Sequence, residues 1–432
     1  ANGVFTWDHG AIGSFSFQGV SSGQSITGTA PADTASSVTV LSGSVTITTD
    51  STSPAYKLVA GGTTDNTAGA YRLTAANEGV WLTELALQLT SYASSSIADI
   101  PKVSIYDGAT KVGEAFFTTD GGSGAVSIST STLTTPLLLA KDLDKVLTIK
   151  LDTATIGNNQ AATSSGHLIV LNFISGKGTG QDSGTAYNLG AANGSTSVAG
   201  VRVMKSYPTV ALGTLPSTGL ADGRLGRFTV TANSSGSISL TEFNFLFATT
   251  SVVLTNVNVY AYTDSSYSQK VTGIGDDGAV SQTMMLSCTT GLANPCGWAS
   301  SATNFEVQVT DSASASTTIQ VPAGTTYYFE VRGTVAGVTT GSTVVTTLRG
   351  DTAAAFSGGY PPSMQAGRYS NPMGRSWTDG GATSTICDLV AECAFIWSPN
   401  STTSATRTAV DWTDGTSVPG LPSNGLIMTR SQ

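Results

Sequence analysis

A duplicated stretch constrains this 432-residue chain more than any other feature of its sequence. Residues 72–90 recur as residues 227–249, an offset of 155 positions between Arg72 and Arg227. Both copies place an Arg before an alternating apolar run, then an Ala-Asn turn, a Gly and a Leu-Thr-Glu triplet at 82–84 and 240–242. A repeat of this length predicts a duplicated domain.

The correspondence extends in both directions from these two copies. Residues 45–54 match 201–208, residues 102–111 match 256–264, and residues 146–151 match 326–332. Each matched segment is short and alternates apolar with polar residues, which is the pattern of a half-buried strand. The sequence therefore predicts the same series of strands, in the same order, in both copies.

Composition favours an all-β chain. Ser and Thr together exceed a quarter of the residues, charged residues are 11%, and there are 49 Gly. Residues that build helices are scarce, whereas Thr and Val suit a pleated surface. Short strands at about ten-residue spacing, with no helical pattern between them, predict two tandem immunoglobulin-like Greek-key β-sandwiches. Disorder is the alternative, but 40% apolar content argues against it.

The pattern divides the chain into four parts. Residues 1–37 form an N-terminal arm, 38–199 the first sandwich, 200–352 the second, and 353–432 a Trp- and Pro-rich, loop-rich C-terminal segment. The insert 281–301 lengthens the second copy and is predicted to lie on the surface.

The arm has too little apolar mass for a core of its own. Its alternating pairs, Phe5/Trp7 and Phe15/Phe17, predict strands that need a partner, either the first sandwich or a neighbouring subunit. The Pro-rich end of the chain is the competing connector, with Leu421 and Leu426 expected to be exposed. The arm is the preferred candidate.

Four cysteines fall in two close pairs, Cys288/Cys296 and Cys387/Cys393. Their local spacing predicts two disulfides and an oxidising compartment. Each small loop would gain roughly 2–3 kcal/mol on the chain-entropy estimate. A thiolate zinc site is the alternative, but only His9 and His167 could add imidazole ligands.

Charge and hydropathy narrow the partners. The formal charge is −9, and the 19 Lys and Arg form no basic stripe, so nucleic acid is not expected as a partner. No apolar run reaches the ~20 residues of a membrane span. The chain begins at Ala1 without Met, as expected after removal of a signal peptide, and an extracellular location is predicted.

No catalytic constellation is recognisable in the sequence. Neither histidine lies near a nucleophile motif. Three carboxylate pairs could in principle serve glycosidic chemistry, but turn chemistry accounts for each of them; they are Asp142/Asp144, Asp276/Asp277 and Asp411/Asp414. No cofactor is predicted, and calcium stays open as a ligand of such turns, without assigned residues.

Recurring acidic and aromatic residues have structural interpretations as well. Glu84 and Glu242 are interpreted as caps or cross-strand partners of the two repeated Arg residues. Trp7 and Trp81 are expected in a core or an interface. Trp377, Trp397 and Trp412 are predicted to anchor the C-terminal segment to the second sandwich, with a glycan platform as the alternative.

The C-terminal segment also carries a resemblance. Its stretches Phe395-Ile-Trp-Ser-Pro-Asn-Ser, Val410-Asp-Trp-Thr-Asp-Gly and Val418-Pro-Gly-Leu-Pro-Ser-Asn-Gly-Leu are similar to the closing segment of large secreted surface proteins of candidate-phyla bacteria, the Patescibacteria and notably their parcubacterial branch. The duplicated domains resemble repeats in those proteins. The likeness implies a surface location and a role in envelope architecture.

Two functional hypotheses follow. The first is a secreted, non-enzymatic structural protein that assembles with copies of itself on the cell surface, as a surface-layer lattice or an extracellular filament. The second is an adhesin or carbohydrate-binding surface protein, whose partner would be a glycan, including glycans of the cell envelope. The second hypothesis predicts a shallow site with two or more exposed, coplanar aromatic rings.

Overall fold

The computed structural model describes residues 3–7, 15–18, 21–28, 36–40, 43–89, 96–118, 127–157, 165–190, 198–216, 219–282, 303–351, 378–379, 382–383, 394–401 and 412–432. Within these ranges the secondary structure is almost entirely strand, with two one-turn 3-10 helices at Ile97–Asp99 and Asp276–Gly278. The predicted all-β class is confirmed.

The N-terminal part of the chain contains four short strands, β1 (Gly3–Trp7), β2 (Phe15–Gln18), β3 (Ser25–Gly28) and β4 (Ser36–Val40). The predicted boundary at residue 37 falls within β4, which pairs with β1, so the arm extends to Val40. The first repeat follows with β5 (Ser44–Thr49), β6 (Lys57–Ala60), β7 (Asn66–Ala76), β8 (Val80–Leu89), β9 (Lys102–Asp107), β10 (Thr110–Ala115), β11 (Ser127–Leu139), β12 (Asp144–Asp152), β13 (His167–Ile169), β14 (Leu171–Gly180) and β15 (Ala186–Gly190).

The remaining strands belong to the second repeat and the C-terminal segment. They are β16 (Val201–Met204), β17 (Pro208–Leu212), β18 (Arg224–Ala232), β19 (Ile238–Thr250), β20 (Val253–Tyr262), β21 (Thr303–Gln308), β22 (Ile319–Val321), β23 (Thr326–Ala336), β24 (Thr343–Leu348), β25 (Thr378–Asp379), β26 (Ala382–Thr383), β27 (Phe395–Ser398) and β28 (Leu426–Ser431).

The two repeats share a strand order. In the first, one sheet runs β10-β9-β12-β7-β5 and the facing sheet runs β11-β8-β14-β15. In the second, one sheet runs β17-β18-β23-β20, so β5-β7-β12-β9 and β17-β18-β23-β20 correspond strand for strand. The other sheet is built around β19, which pairs with β21 and β22 on one edge and with β24 and β27 on the other. The predicted duplication of a β-sandwich is confirmed.

Alternation along the strands fills each core. In β18 and β23, Phe228, Val230, Phe329 and Val331 are fully buried between the sheets, while the residues between them, Thr229 and Glu330, lie on the opposite face of their sheet. Phe228 and Phe329 stack with ring centroids 4.9 Å apart. This aromatic pair lies in the centre of an extensive apolar cluster that draws on both sheets of the second repeat.

The C-terminal segment supplies strands to the second sandwich. In the first repeat, a single strand, β14, covers one side of β8 from Leu89 to Val80. In the second, β24 pairs with residues 245–250 of β19 and the chain then leaves the sheet. β27 returns to pair with residues 239–243, and β28 pairs with β24 as β15 pairs with β14. β27 and β28 therefore complete the second sheet.

A small third sheet joins the repeats. β16 pairs with β13 antiparallel and with β6 parallel. Arg202 of β16 is 2% exposed, donates to the carbonyl of Gly166 and to the hydroxyl of Tyr56, and lies 5.5 Å from the Tyr56 ring. Tyr56 packs against both apolar clusters. A buried guanidinium with such specific partners fixes the junction between the repeats.

Replacing Phe329 with Ala tests the stacked core of the second repeat. Because the ring is fully buried, we expect the variant to lose about 3–5 kcal/mol of unfolding free energy in chemical denaturation. The control Ile427→Ala removes a side chain that is 53% exposed and should change the free energy by less than about 0.5 kcal/mol. Equal losses in the two variants would contradict the assignment of this core.

Candidate functional site

The strands of the arm pair with one another. β1 pairs with β4 over Gly3–Trp7, and β2 pairs with β3 over Phe15–Gln18. Among the described strands, none of the four joins a sheet of either sandwich. Phe5, Trp7, Phe15 and Phe17 lie in β1 and β2, and their side chains fall outside the described part of the structure, so their role as interface residues stays a prediction.

The edge strand β17 is covered by the chain's own C-terminal segment. Val210 donates its backbone N–H to the carbonyl of Pro419 at 2.8 Å. Gly420 approaches so closely that an added Cβ would lie 1.8 Å from the Val210 carbonyl oxygen. Only glycine fits here, because a Cβ would clash with that oxygen and because the backbone φ of Gly420 is 79°.

The corresponding strand β5 pairs with β7 alone in the part of the chain that the structure describes. Its register places Val45 opposite Ala75, as β17 places Val210 opposite Val230. Ala75 and Val230 are themselves 155 positions apart, the offset of the repeat. Val45 is therefore the counterpart of Val210. The sequence match of residues 45–54 with 201–208 is wrong, because residues 201–204 form β16 in the small third sheet.

The C-terminal connector was expected to expose Leu421 and Leu426, and for Leu421 this is wrong. Leu421 is 4% exposed and belongs to the core of the second repeat. Leu426 begins β28 and is half-buried against the same core. The reason is that the turn Val418–Leu421 contacts β17 through Pro419 and β28 adds to β24, so both residues are used within the chain.

The aromatic anchors of the C-terminal segment are buried. Trp397 has no exposed surface, lies in the second core, and donates its indole N–H to the Asp414 carbonyl at 2.7 Å. Its predicted anchoring role is confirmed. Trp412 is equally buried, beside Ile396, and Trp377 lies outside the described residues. Trp81 is 39% exposed, so its placement in a core is wrong and its placement in an interface stays a prediction.

The repeated Arg and Glu residues do not pair with each other. Arg72 binds Asp50 at 2.7 Å and Asp144 at 2.6 Å. The partner of Glu84 is Lys177, directly opposite it on β14, at 2.7 Å. The interpretation of Glu84 as the partner of Arg72 is therefore wrong: the two side chains belong to different sheets.

Arg227 lies at the centre of what we call the Arg–Tyr face, formed by Arg227, Tyr260, Tyr267, Tyr328, Glu330 and Arg332. Glu330 has no exposed surface and binds Arg227 at 2.5 Å, Arg224 at 3.4 Å and Arg332. The Arg227 guanidinium lies 3.7 Å above the Tyr267 ring, and that of Arg332 lies 5.0 Å from Tyr260. One buried carboxylate thus gathers three guanidinium groups on an outward face lined with rings.

The predicted carboxylate pairs serve turns and sheets where they are described. Asp144 binds Arg72 and Thr74, and Asp277 binds Lys270 at 2.7 Å. Asp276 accepts a hydrogen bond from the Gln282 amide at 2.9 Å. Asp142 occupies a turn with a φ of 59°. Asp411 lies outside the described residues.

His167 contacts Asp99 through Nδ1 at 2.6 Å, where β13 meets the 3-10 turn Ile97–Asp99. Both side chains are mostly buried. The contact joins two elements of the first repeat, which agrees with a structural role for this histidine. His9 lies outside the described residues.

A buried carboxyl pair, Asp351 and Asp414, was not predicted from the sequence. The Asp351 carboxyl accepts N–H groups of Ala394 at 2.5 Å, Phe395 at 3.2 Å and Gly415 at 2.6 Å. It thus holds together the point where the chain leaves β24 and the point where it returns at β27. No spacing signal marks Asp351, because its contacts reach 43 and 64 residues along the chain.

Burial and the charge of Asp414 raise the pKa of Asp351 to about 7, although its three backbone hydrogen bonds oppose this. In the unfolded chain the carboxyl has a pKa of 3.8. Between these values the folded protein holds a proton that the unfolded chain releases. The contribution of this protonated carboxyl to the unfolding free energy is therefore complete below about pH 4 and is lost as the pH rises through 7.

Metal and disulfide predictions remain predictions. Within the described ranges, no group of three or more His, Cys, Asp or Glu side chains could hold a metal ion. Cys288, Cys296, Cys387 and Cys393 all lie outside the described residues. Among the residues described, no helix has the length and apolar character to cross a membrane.

Comparisons with known proteins add little. No family model matches the chain, and no curated protein matches it. Among solved structures, it is similar to a chain described as "Complete structure of manganese lipoxygenase of Gaeumannomyces graminis and partial structure of zonadhesin of Komagataella pastoris", at 12% identity and a TM-score of 0.14, covering 70% of this chain and 87% of that one. Another, described as "BspA_C_mut", has 12% identity, a TM-score of 0.19, and coverage of 71% and 93%. At these TM-scores neither likeness carries an argument about function.

Replacing Asp414 with Asn tests the buried pair. In the wild type, the unfolding free energy should fall as the pH rises from about 4 to 7, by at most about 1.4 kcal/mol per pH unit. Asp414→Asn keeps the Oδ1 that accepts the Thr416 N–H at 3.0 Å but removes the repulsive charge, so the slope should flatten. Denaturant titrations at several pH values measure it.

The control Asp182→Asn removes an exposed carboxylate from the first repeat and retains the Asp351–Asp414 pair. It should keep the wild-type slope. A slope that is the same in wild type and Asp414→Asn would show that the pair does not couple to folding.

Proposed function

We propose that this chain is a secreted, non-enzymatic structural protein that assembles with copies of itself on a bacterial cell surface, as a lattice or a filament. The observation that carries the proposal is the arm. Its four strands form two small pairs that, among the described strands, lie outside both sandwiches. A lone two-stranded ribbon is marginal in water, so such an arm gains stability by adding to another surface.

The rest of the chain supports the same function. Both sandwiches have complete cores, and the junction between them is fixed by a buried Arg and a shared sheet. Asp144, Asp276, Asp277 and His167 are engaged in ion pairs, hydrogen bonds and turns. The resemblance of the C-terminal segment to surface proteins of Patescibacteria supports an extracellular location.

Deleting residues 1–20 should abolish assembly and leave both sandwiches folded. The deletion removes β1 and β2 but no strand of either core. Electron microscopy and light scattering, with and without calcium, would follow assembly, and circular dichroism would follow folding. Assembly of the deleted chain at the wild-type concentration would contradict the role of the arm.

A matched pair of variants refines this test. Phe5 and Trp7 are the aromatic residues of β1, and Val4 is an aliphatic residue of the same strand. Phe5→Thr/Trp7→Thr should fail to assemble, whereas Val4→Thr should assemble normally.

The second candidate function, a carbohydrate-binding adhesin, is favoured by the Arg–Tyr face. Arg332 keeps 40% of its side chain exposed beside the half-buried Tyr260, and guanidinium groups next to rings suit a carboxylated sugar. Against it, the Tyr267 and Tyr328 rings are inclined at 72° and offer no coplanar platform.

A glycan array with uronic-acid sugars tests this second candidate. Arg332→Ala should weaken saturable binding about tenfold, corresponding to about 1.4 kcal/mol. The control Lys150→Ala removes the cation 4.4 Å from Tyr106 on the first repeat and should bind as the wild type does. No competable binding by the wild type would exclude the adhesin function for this face.

A further inference from the structure

The two matching edges differ in what lies against them. β17 is covered in cis by Val418–Pro422 through the Val210 N–H. β5, its counterpart, carries no paired strand on its outer side within the described residues. The segment beside β17 is a turn, since Leu421 donates its N–H to the Val418 carbonyl at 3.0 Å. The duplication therefore shows one edge whose central N–H is used by a turn of the same chain and an equivalent edge without such a contact.

The register identifies the outward groups of β5. Asp50 donates its N–H to Ala70 of β7 at 2.9 Å, and the ladder from Ser44 to Thr49 has no register shift. Because N–H directions alternate along a strand, the even-numbered residues face β7 and the N–H groups of Val45 and Ile47 face outward. Val45 thus presents the same group as its counterpart Val210.

The β5 edge also lacks the features that protect edge strands. Its sequence, Ser-Val-Thr-Ile-Thr-Thr, contains no charge and no Pro, and its ladder has no bulge. At the other edge of the same sheet, β10 carries Lys111 and Glu114 and has a bulge between Lys111 and Gly113. Charges and bulges block the addition of strands, and β5 has neither.

We propose that the outer edge of β5 receives strand β1 from the arm of a second copy of this chain, an inference that rests on the proposed self-assembly. β1 is uncharged, with five residues against the six of β5. Three residues separate β4 from β5, so β4 could fold back on β5 as a hairpin, yet it pairs with β1. When β1 pairs with β5 of a neighbour, it supplies hydrogen-bond partners to the open edge and buries Phe5 and Trp7.

Two substitutions at one position test the acceptor edge. Val45→Pro removes the outward N–H without removing one that β7 uses, and Pro is tolerated on edge strands in that orientation. Val45→Ala removes side-chain mass but keeps the N–H. We expect Val45→Pro to raise the concentration needed for assembly at least tenfold, and Val45→Ala to assemble like the wild type.

Mixing two defective chains gives a sharper readout. The chain lacking residues 1–20 keeps the acceptor but has no β1, and Val45→Pro keeps β1 but has a blocked acceptor. Neither should assemble alone, and together they should form one-to-one dimers that grow no further, measured by light scattering after size exclusion. If Val45→Pro misfolds, a photo-crosslinking residue at the exposed Thr46 of the full chain should capture residues 3–7 of a neighbour.

The outcomes separate this inference from the proposed function. If the wild type assembles and Val45→Pro assembles equally, or the mixture stays monomeric, the β5 acceptor is wrong and self-assembly stands. If the wild type stays monomeric in every condition, both fail. If the arm instead covers β5 of its own chain, Thr46 will crosslink within one chain and deletion of residues 1–20 will destabilise the first repeat, which overturns exchange between copies.

Discussion

Backbone hydrogen bonding at the sheet edges is the constraint on which this structure depends. Every strand must find partners for its N–H and C=O groups, and an open sheet always ends in two strands with one free side. Closing the second sandwich uses strands from far along the chain. β27 completes the pairing along β19, and β28 pairs with the outer side of β24. Residues Val418–Pro422 contact β17 through Pro419. The first sandwich is complete at β15 and keeps β5 at its edge.

Divergence between the copies therefore lies in edges and connections, while the cores stay alike. The fully buried Tyr71, Phe173, Phe228 and Phe329 fill equivalent interiors between two sheets. In the second copy, β24 and β27 are far apart in sequence. The Asp351 carboxyl connects them by accepting three backbone hydrogen bonds, from Ala394, Phe395 and Gly415. Burial first, and the nearby charge of Asp414 second, raise the pKa of this carboxyl, so it remains protonated at mildly acidic pH.

Sequence pattern predicted the features that local periodicity encodes. Alternation in residues 227–232 marked β18, the repeat offset predicted the shared strand order, and the context of Trp397 indicated an anchor. Partners set by distant pairing were not predictable. Lys177 binds Glu84 because β14 pairs with β8. Leu421 is buried because its segment contacts β17 through the Pro419 carbonyl. The sequence pattern of a Pro-rich segment is the same whether the segment is exposed to solvent or packs against a sheet edge.

Asp351 and Arg202 illustrate the same limit for polar groups. Each is a single charged residue without a motif, and its role depends on contacts across at least 36 residues of chain. Burial of a lone charge can be understood only once the fold has placed its partners.

The C-terminal origin of β28 also sets an order in which the two sandwiches can fold during synthesis. A chain that emerges from its N-terminus can close the first sandwich once residue 190 is free, since β15 ends there. The second sandwich cannot close until residues 426–431 have followed, because β24 has no outer neighbour before then. The half of the molecule that carries β5 is thus complete while the other half still lacks its last strand.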